Sequence, residues 1–193
     1  MGLLARLTPT LQRRATYHAC LFATFSLFWT TVPLLLADMF HLSQQGIALF
    51  ALAGVAGAIA APVAGRAADR GWSKAATGLA MLAVAAFLLL SLLGLSESNA
   101  SLATLVLAAI LLNFGVTANG VLGQRAIYAL GPAIRGRLNG LYMATFFAGG
   151  AIGSALGGWS YAEGGWSLVM EAGLVIPVLA LACFFTEPEE ATL

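Results

Sequence analysis

Charge is what this chain has least of. Asp, Glu, Lys and Arg make up 9% of its 193 residues, against about a quarter in soluble domains. A surface so poor in charge does not hold a globular fold in water, so the expected solvent is lipid hydrocarbon. Lysine occurs once, as Lys74, which excludes a P-loop and leaves no basic tract to grip nucleic acid. The two cysteines, Cys20 and Cys183, stand alone in apolar runs. They form neither a disulfide framework nor a CxxC pair and are expected as small packing residues. His18 and His41 both fall at the ends of apolar runs, and no HExxH or GxSG occurs. Zinc hydrolysis and intramembrane serine proteolysis therefore lack their residues. Channels lack theirs too, since there is no TVGYG filter and Asn119 is followed by glycine rather than Pro-Ala. No cofactor, metal or enzymatic activity is expected.

What fills the chain instead is hydrocarbon: 60% of residues are hydrophobic and mean hydropathy is +0.90. A helix needs about 20 mostly apolar residues to cross a bilayer. Six stretches qualify, at 17–37, 45–64, 75–95, 102–122, 138–158 and 166–185. The linkers between them, 38–43, 66–74, 96–101, 123–137 and 159–165, are too short for a soluble domain. The expected organisation is a cytoplasmic segment 1–16, a six-helix bundle 17–185 and a cytoplasmic tail 186–193. The first run is too long for a signal-peptide core, and five more follow it.

The nine basic residues fix an expected orientation. Arg6, Arg13 and Arg14 precede the first run, Arg66, Arg70 and Lys74 separate the second from the third, and Arg125, Arg135 and Arg137 separate the fourth from the fifth. All fall on one side of the membrane, which the positive-inside rule makes cytoplasmic, together with both termini. The other side offers Asp38, His41, Glu97 and Glu163, with Trp159, Tyr161 and Trp166 as interface anchors.

Helices in lipid associate through small residues and a few polar contacts. Gly149, Gly153 and Gly157 recur every fourth residue of the fifth run, beside Gly150, Ser154 and Gly158; the second run has Gly57, Ala61 and Gly65. These faces serve close packing, or sliding during a conformational cycle. Pro62 and Pro177 each remove a backbone donor, and local kinks are expected there.

Two polar stripes stand out. In the fourth run Asn113, Thr117, Gly120 and Gln124 share one helical face. In the first, Phe22, Ser26, Trp29 and Pro33 do so, with Thr30 beside them. Polar groups at membrane depth face protein or a water-filled cavity. The stripes either line a cavity for an amphipathic organic solute or only bond neighbouring helices. Asn119, off the stripe, reads as a helix contact. Glu171 is the one acid well inside an apolar run; it is either a proton-carrying carboxylate or an interfacial acid.

The segment Gly65-Arg-Ala-Ala-Asp69-Arg70-Gly71-Trp-Ser-Lys74 resembles the GxxxDRxGRR loop, motif A, of the major facilitator superfamily. Gly65, Asp69 and Arg70 match, Gly71 comes one place early, and Trp72, Ser73 and Lys74 replace most of the basic tail. Phe25-Ser-Leu-Phe-Trp-Thr-Thr-Val-Pro33 and Arg137-Leu-Asn-Gly-Leu-Tyr-Met143 are similar to the seventh and eleventh helices of bacterial efflux-type members. The resemblance runs from Arg13 to Glu187 and maps to the C-terminal half of the family.

That resemblance implies an all-α membrane protein whose six transmembrane helices form one half, a 3+3 inverted repeat, of the transporter fold. It implies a cavity lined by the first and fourth helices, here by Phe22, Ser26, Trp29, Thr30, Asn113, Thr117 and Gln124. It implies a cytoplasmic gate loop of Gly65, Asp69 and Arg70, the aspartate capping a helix start in the opposite half. In a homodimer Asp69 would approach Arg137 and Asn139 of a second copy. Arg70 and Lys74 read equally as positive-inside anchors. The implied partners are the lipid bilayer, a small-molecule substrate, protons as coupling ion and a second six-helix half. The implied setting is the bacterial inner membrane, and the implied activity proton-coupled efflux. A non-transporting assembly subunit or truncated product is the alternative, and the 1–16 segment, which resembles the linker between halves, favours the truncated product; a membrane enzyme ranks below both.

Overall fold

The structure, a computed structural model, describes residues 9–92 and 96–186. Arg6, residues 93–95 of the expected third span and the tail from 187 lie outside the described residues. Helix α1 spans Pro9–Asp38. Helix α2, Gln44–Ala51, continues through a 3-10 stretch, Leu52–Ala56, into α3, Gly57–Asp69. Then come α4, Ser73–Leu92, and α5, Asn99–Tyr128. A 3-10 turn, Pro132–Ile134, leads into α6, Arg135–Phe185. Among the described residues there is no strand, and five helical stretches are long and apolar enough to cross a membrane.

Local chemistry sets several of these boundaries. Ser43 accepts a hydrogen bond from Gly46 N (3.3 Å) and caps α2; Ser98 accepts from Ser101 N (3.2 Å) and caps α5. Gly71, at φ +77°, turns the chain between α3 and α4, a conformation that side chains with a Cβ rarely take. The helix continues through Pro62 and Pro177. The irregularity in the second span is the 3-10 stretch Leu52–Ala56, upstream of the proline.

Two helices outrun their apolar runs. α1 begins at Pro9, which carries Arg13 and Arg14 onto the helix; α5 continues to Tyr128, which carries Gln124 and Arg125 with it. Hydropathy marks where hydrocarbon begins, whereas the backbone stays helical until its hydrogen bonds end.

α6 is broken within its length: as an unbroken rod its 51 residues would run about 76 Å at 1.5 Å per residue, more than twice a bilayer core. Its contacts show that it folds back. Before the break, Gly149, Gly153 and Gly157 lie against Ala19, Ala23 and Leu27 of α1, so this arm runs parallel to α1. After it, Trp166 meets Phe28 (6.0 Å), Gly173 meets Leu27, and Tyr17 Oη donates to Cys183 O (3.4 Å), so the second arm runs antiparallel. The reversal falls at Gly164 and Gly165, whose backbone is non-helical; Gly165, at φ +62°, is in left-handed space.

α1 is therefore the hub. Its fully buried Tyr17, Leu21, Leu27 and Phe28 join Met81, Phe87 and Leu88 of α4 and Leu105 and Leu112 of α5. α4 and α5 close on each other at Gly115, where an added Cβ would stand 2.6 Å from Ala80 O. Leu79, Leu82, Leu107, Val175 and Leu179 stay exposed on the outer faces, as a lipid solvent allows.

Candidate functional site

The polar stripe of α5 and the aromatic stripe of α1 converge on a cavity of about 330 Å³. Asn113, Thr117 and Gln124 line it from α5, and Phe22 lines it from α1. Asn113 Nδ2 donates to Ala109 O (2.7 Å), which holds the amide on the helix, and the side chain is 7% exposed. Gly57 of α3 admits Asn113 and Thr117: a Cβ there would be 3.2 Å from each side chain. Gln124 Nε2 reaches Met143 Sδ at 4.0 Å.

Ser26, Trp29 and Thr30 lie elsewhere. Thr30 Oγ1 and Ser154 Oγ share a hydrogen bond (2.8 Å) that ties α1 to α6. Ser26 stands beside Gly150. Trp29 packs on Phe25, Phe28 and Phe50 and covers Gly54, its indole nitrogen buried without a partner among the described residues. One stripe thus splits between cavity and helix contact.

Five wall residues were not singled out from sequence: His18, Phe25, Val116, Val121 and Phe146. His18 looked like a span-end residue because the apolar run starts at Tyr17. On α1 it stands one turn before Phe22, on the same face. Its ring lies 4.4 Å from that of Phe146 and 5.2 Å from that of Tyr142, stacked on the latter. Phe22 stacks on Phe146 at 3.7 Å. The i to i+4 step from His18 to Phe22 was the available signal.

At the basic end of the bundle Asp69, the last residue of α3, pairs with Arg125 of α5 at 2.6 Å. Arg125 Nη1 also donates to Gly65 O (3.2 Å). One guanidinium thus clamps the first and fifth positions of the motif. Both side chains are largely exposed, at 47% and 64%, so the pair adds little to stability. Arg70 stacks over Trp72 (5.5 Å). Arg14 is buried and donates to Thr77 Oγ1 of α4 (2.8 Å), so it serves helix contact as well as charge placement. At the opposite end Tyr161 Oη donates to Asp38 Oδ2 (2.7 Å), closing α1 onto the α6 turn.

Glu171 is exposed on the second arm of α6 and does not line the cavity. It shares an outward stripe with Val175 and Val178. Gly149, Gly153 and Gly157 allow the first arm to lie against the α1 backbone.

Comparison with known proteins agrees with this architecture. Residues 15–192 match the family model of the Major Facilitator Superfamily. The chain is 37% identical over 172 residues to "Uncharacterized transporter YgaY" of Escherichia coli O157:H7, covering 89% of this chain and 43% of that protein. It is 32% identical over 169 residues to "Probable transporter SCO4007" of Streptomyces coelicolor, covering 84% of this chain and 37% of that protein. The chain thus spans less than half the length of these relatives. No solved structure matches it.

Proposed function

This chain belongs to the Major Facilitator Superfamily, and on that premise we propose that it forms one half of a secondary transporter. The half has six spans in a 3+3 inverted repeat and moves a small organic solute by alternating access. The family and the relatives named as transporters set it apart from membrane enzymes. The observation that carries the reading is the convergence of Asn113, Thr117 and Gln124 with Phe22 on one cavity between α1 and α5. The six spans are the five apolar stretches with α6 counted twice across its reversal.

The remaining features take roles around that cavity. Ser26 and Thr30 shape its wall through the α1–α6 contact, Trp29 does so through its packing on Phe50 and Gly54, and the glycine faces of α6 let the arm shift along α1. Gly65, Asp69 and Arg70 form the cytoplasmic gate, with Asp69 exchanging Arg125 for a helix start of the second half, supplied by another copy or a separate chain. Both termini face the cytoplasm of a bacterial inner membrane. Transport is efflux against proton influx. Among the described residues no acid lines the cavity, so the coupling carboxylate is Glu171 or belongs to the second half.

Reconstitution tests this. Proteoliposomes holding the chain, with its second half co-expressed where one is encoded, should show proton-gradient-driven flux of a fluorescent aromatic solute. Phe22→Ala and Asn113→Ala should slow it about tenfold, as expected when about 1.4 kcal/mol of solute contact is removed. Glu171→Gln should uncouple flux from the gradient while sparing exchange. A monodisperse, correctly inserted protein without flux would instead favour the assembly-subunit reading.

A further inference from the structure

Among the described residues the cavity wall contains one ionisable side chain, and its surroundings prescribe what it offers. His18 is 7% exposed, and its Nδ1 is buried with no hydrogen-bond partner among the described residues. A buried N–H without an acceptor is rarer and costlier than a bare acceptor. The neutral ring therefore keeps its lone pair on Nδ1 and its proton on Nε2. Nε2 points at Gly120, itself part of the cavity wall: a Cβ at that position would stand 2.8 Å from it. The missing side chain of Gly120 is thus what leaves the imidazole N–H within reach of the cavity. Tyr142 stacks on the ring and Phe146 packs against it at a tilt, and together they hold its plane. Tyr142 in turn lies in the notch left by Gly123, its hydroxyl buried without a partner among the described residues.

Resting on the reading of this cavity as the solute site, we propose that His18 is its recognition donor. It holds an aromatic solute by a carbonyl or carboxylate oxygen while Phe22, Phe25 and Phe146 cover the solute ring. Tyr142 is a positioning residue behind it. A cationic solute finds no counter-charge, because no Asp or Glu among the described residues lines the cavity, and it would meet the donor's positive edge. A site built around a hydrogen-bond donor also discriminates against solutes lacking the acceptor, since the donor is then left unpaired.

Calorimetry on the full chain in lipid nanodiscs, with benzamide and benzyltrimethylammonium as probes, tests this. Benzamide should bind at least about tenfold more tightly than the cation, the step of about one hydrogen bond to a buried donor. His18→Phe keeps the stacking but removes the donor and should weaken benzamide about tenfold. His18→Gln restores an N–H and should recover most of that loss. Gly120→Ala should weaken benzamide as His18→Phe does, by covering Nε2, and it keeps the test independent of any one variant's folding. The inference is overturned if His18→Phe and Gly120→Ala bind benzamide as the parent does, or if the cation binds as tightly. If Phe22→Ala weakens benzamide while the His18 and Gly120 variants do not, only this inference falls. If no probe binds, or Phe22→Ala changes nothing, the cavity reading falls with it.

Discussion

Replacing Gly153 with alanine would measure how closely α1 and α6 must approach. An ideal Cβ on Gly153 would overlap the carbonyl oxygen of Ala23 and lie 2.6 Å from its Cα. Carbon atoms make ordinary contact at about 3.5–4.0 Å, so the helices would have to part by about 1 Å. Neither atom can swing aside, since both belong to the α1 backbone. Overpacking of this kind costs about 1–3 kcal/mol, partly offset by the 0.5–1 kcal/mol that alanine gains over glycine in a helix. Gly158, five residues on in the same arm, has nothing within 4 Å of its missing Cβ. Reversible unfolding in mixed micelles, comparing Gly153→Ala with Gly158→Ala, isolates the contact. The first should lose about 1–2 kcal/mol, and the second should be neutral or slightly stabilised. Equal stability of the two variants would refute the backbone-to-backbone packing.

Two further outcomes are open to simple assays. Arg125→Met should release Asp69 and Gly65 O together; because the pair is exposed, stability should change by less than about 1 kcal/mol, while maleimide accessibility of a cysteine at Ala68 should rise. A drop in thermal stability beyond that, with accessibility unchanged, would mean the clamp is structural only. In a Cys20→Ala/Cys183→Ala background, single cysteines at Glu163 and at Lys74 should label from opposite faces of a sealed vesicle. Labelling from the same face would contradict the reversal at Gly164–Gly165 as a membrane hairpin.

Much of the architecture was legible residue by residue. Hydropathy marked the apolar runs because water is excluded from the interior and the outer faces alike, so burial leaves its mark on every position. The stripe Asn113, Thr117, Gln124 was readable because helical periodicity puts positions four and seven apart on one face. The Gly149, Gly153, Gly157 series was readable because only glycine leaves room for another backbone. The Gly65-to-Lys74 loop carried the family resemblance that the comparisons bear out.

Neighbour choice was not legible. Periodicity says which residues share a face, not which helix that face meets. Thr30 and Trp29 therefore turn to Ser154 and Gly54, although Trp29 shares a stripe with Phe22 and Thr30 flanks it. Arg125 joins Asp69 only because the ends of α3 and α5 lie side by side. His18 enters the cavity only because α5 offers a bare Gly120 opposite the ring. By itself, then, the sequence determined the solvent, the helices, the distribution of charge along the chain and the faces that carry polarity, because each depends on composition or local spacing. The tertiary structure alone decided which faces meet, where α6 turns back, and which side chains share the cavity. Those outcomes depend on fitting several helices into contact at once, and no single segment contains that information.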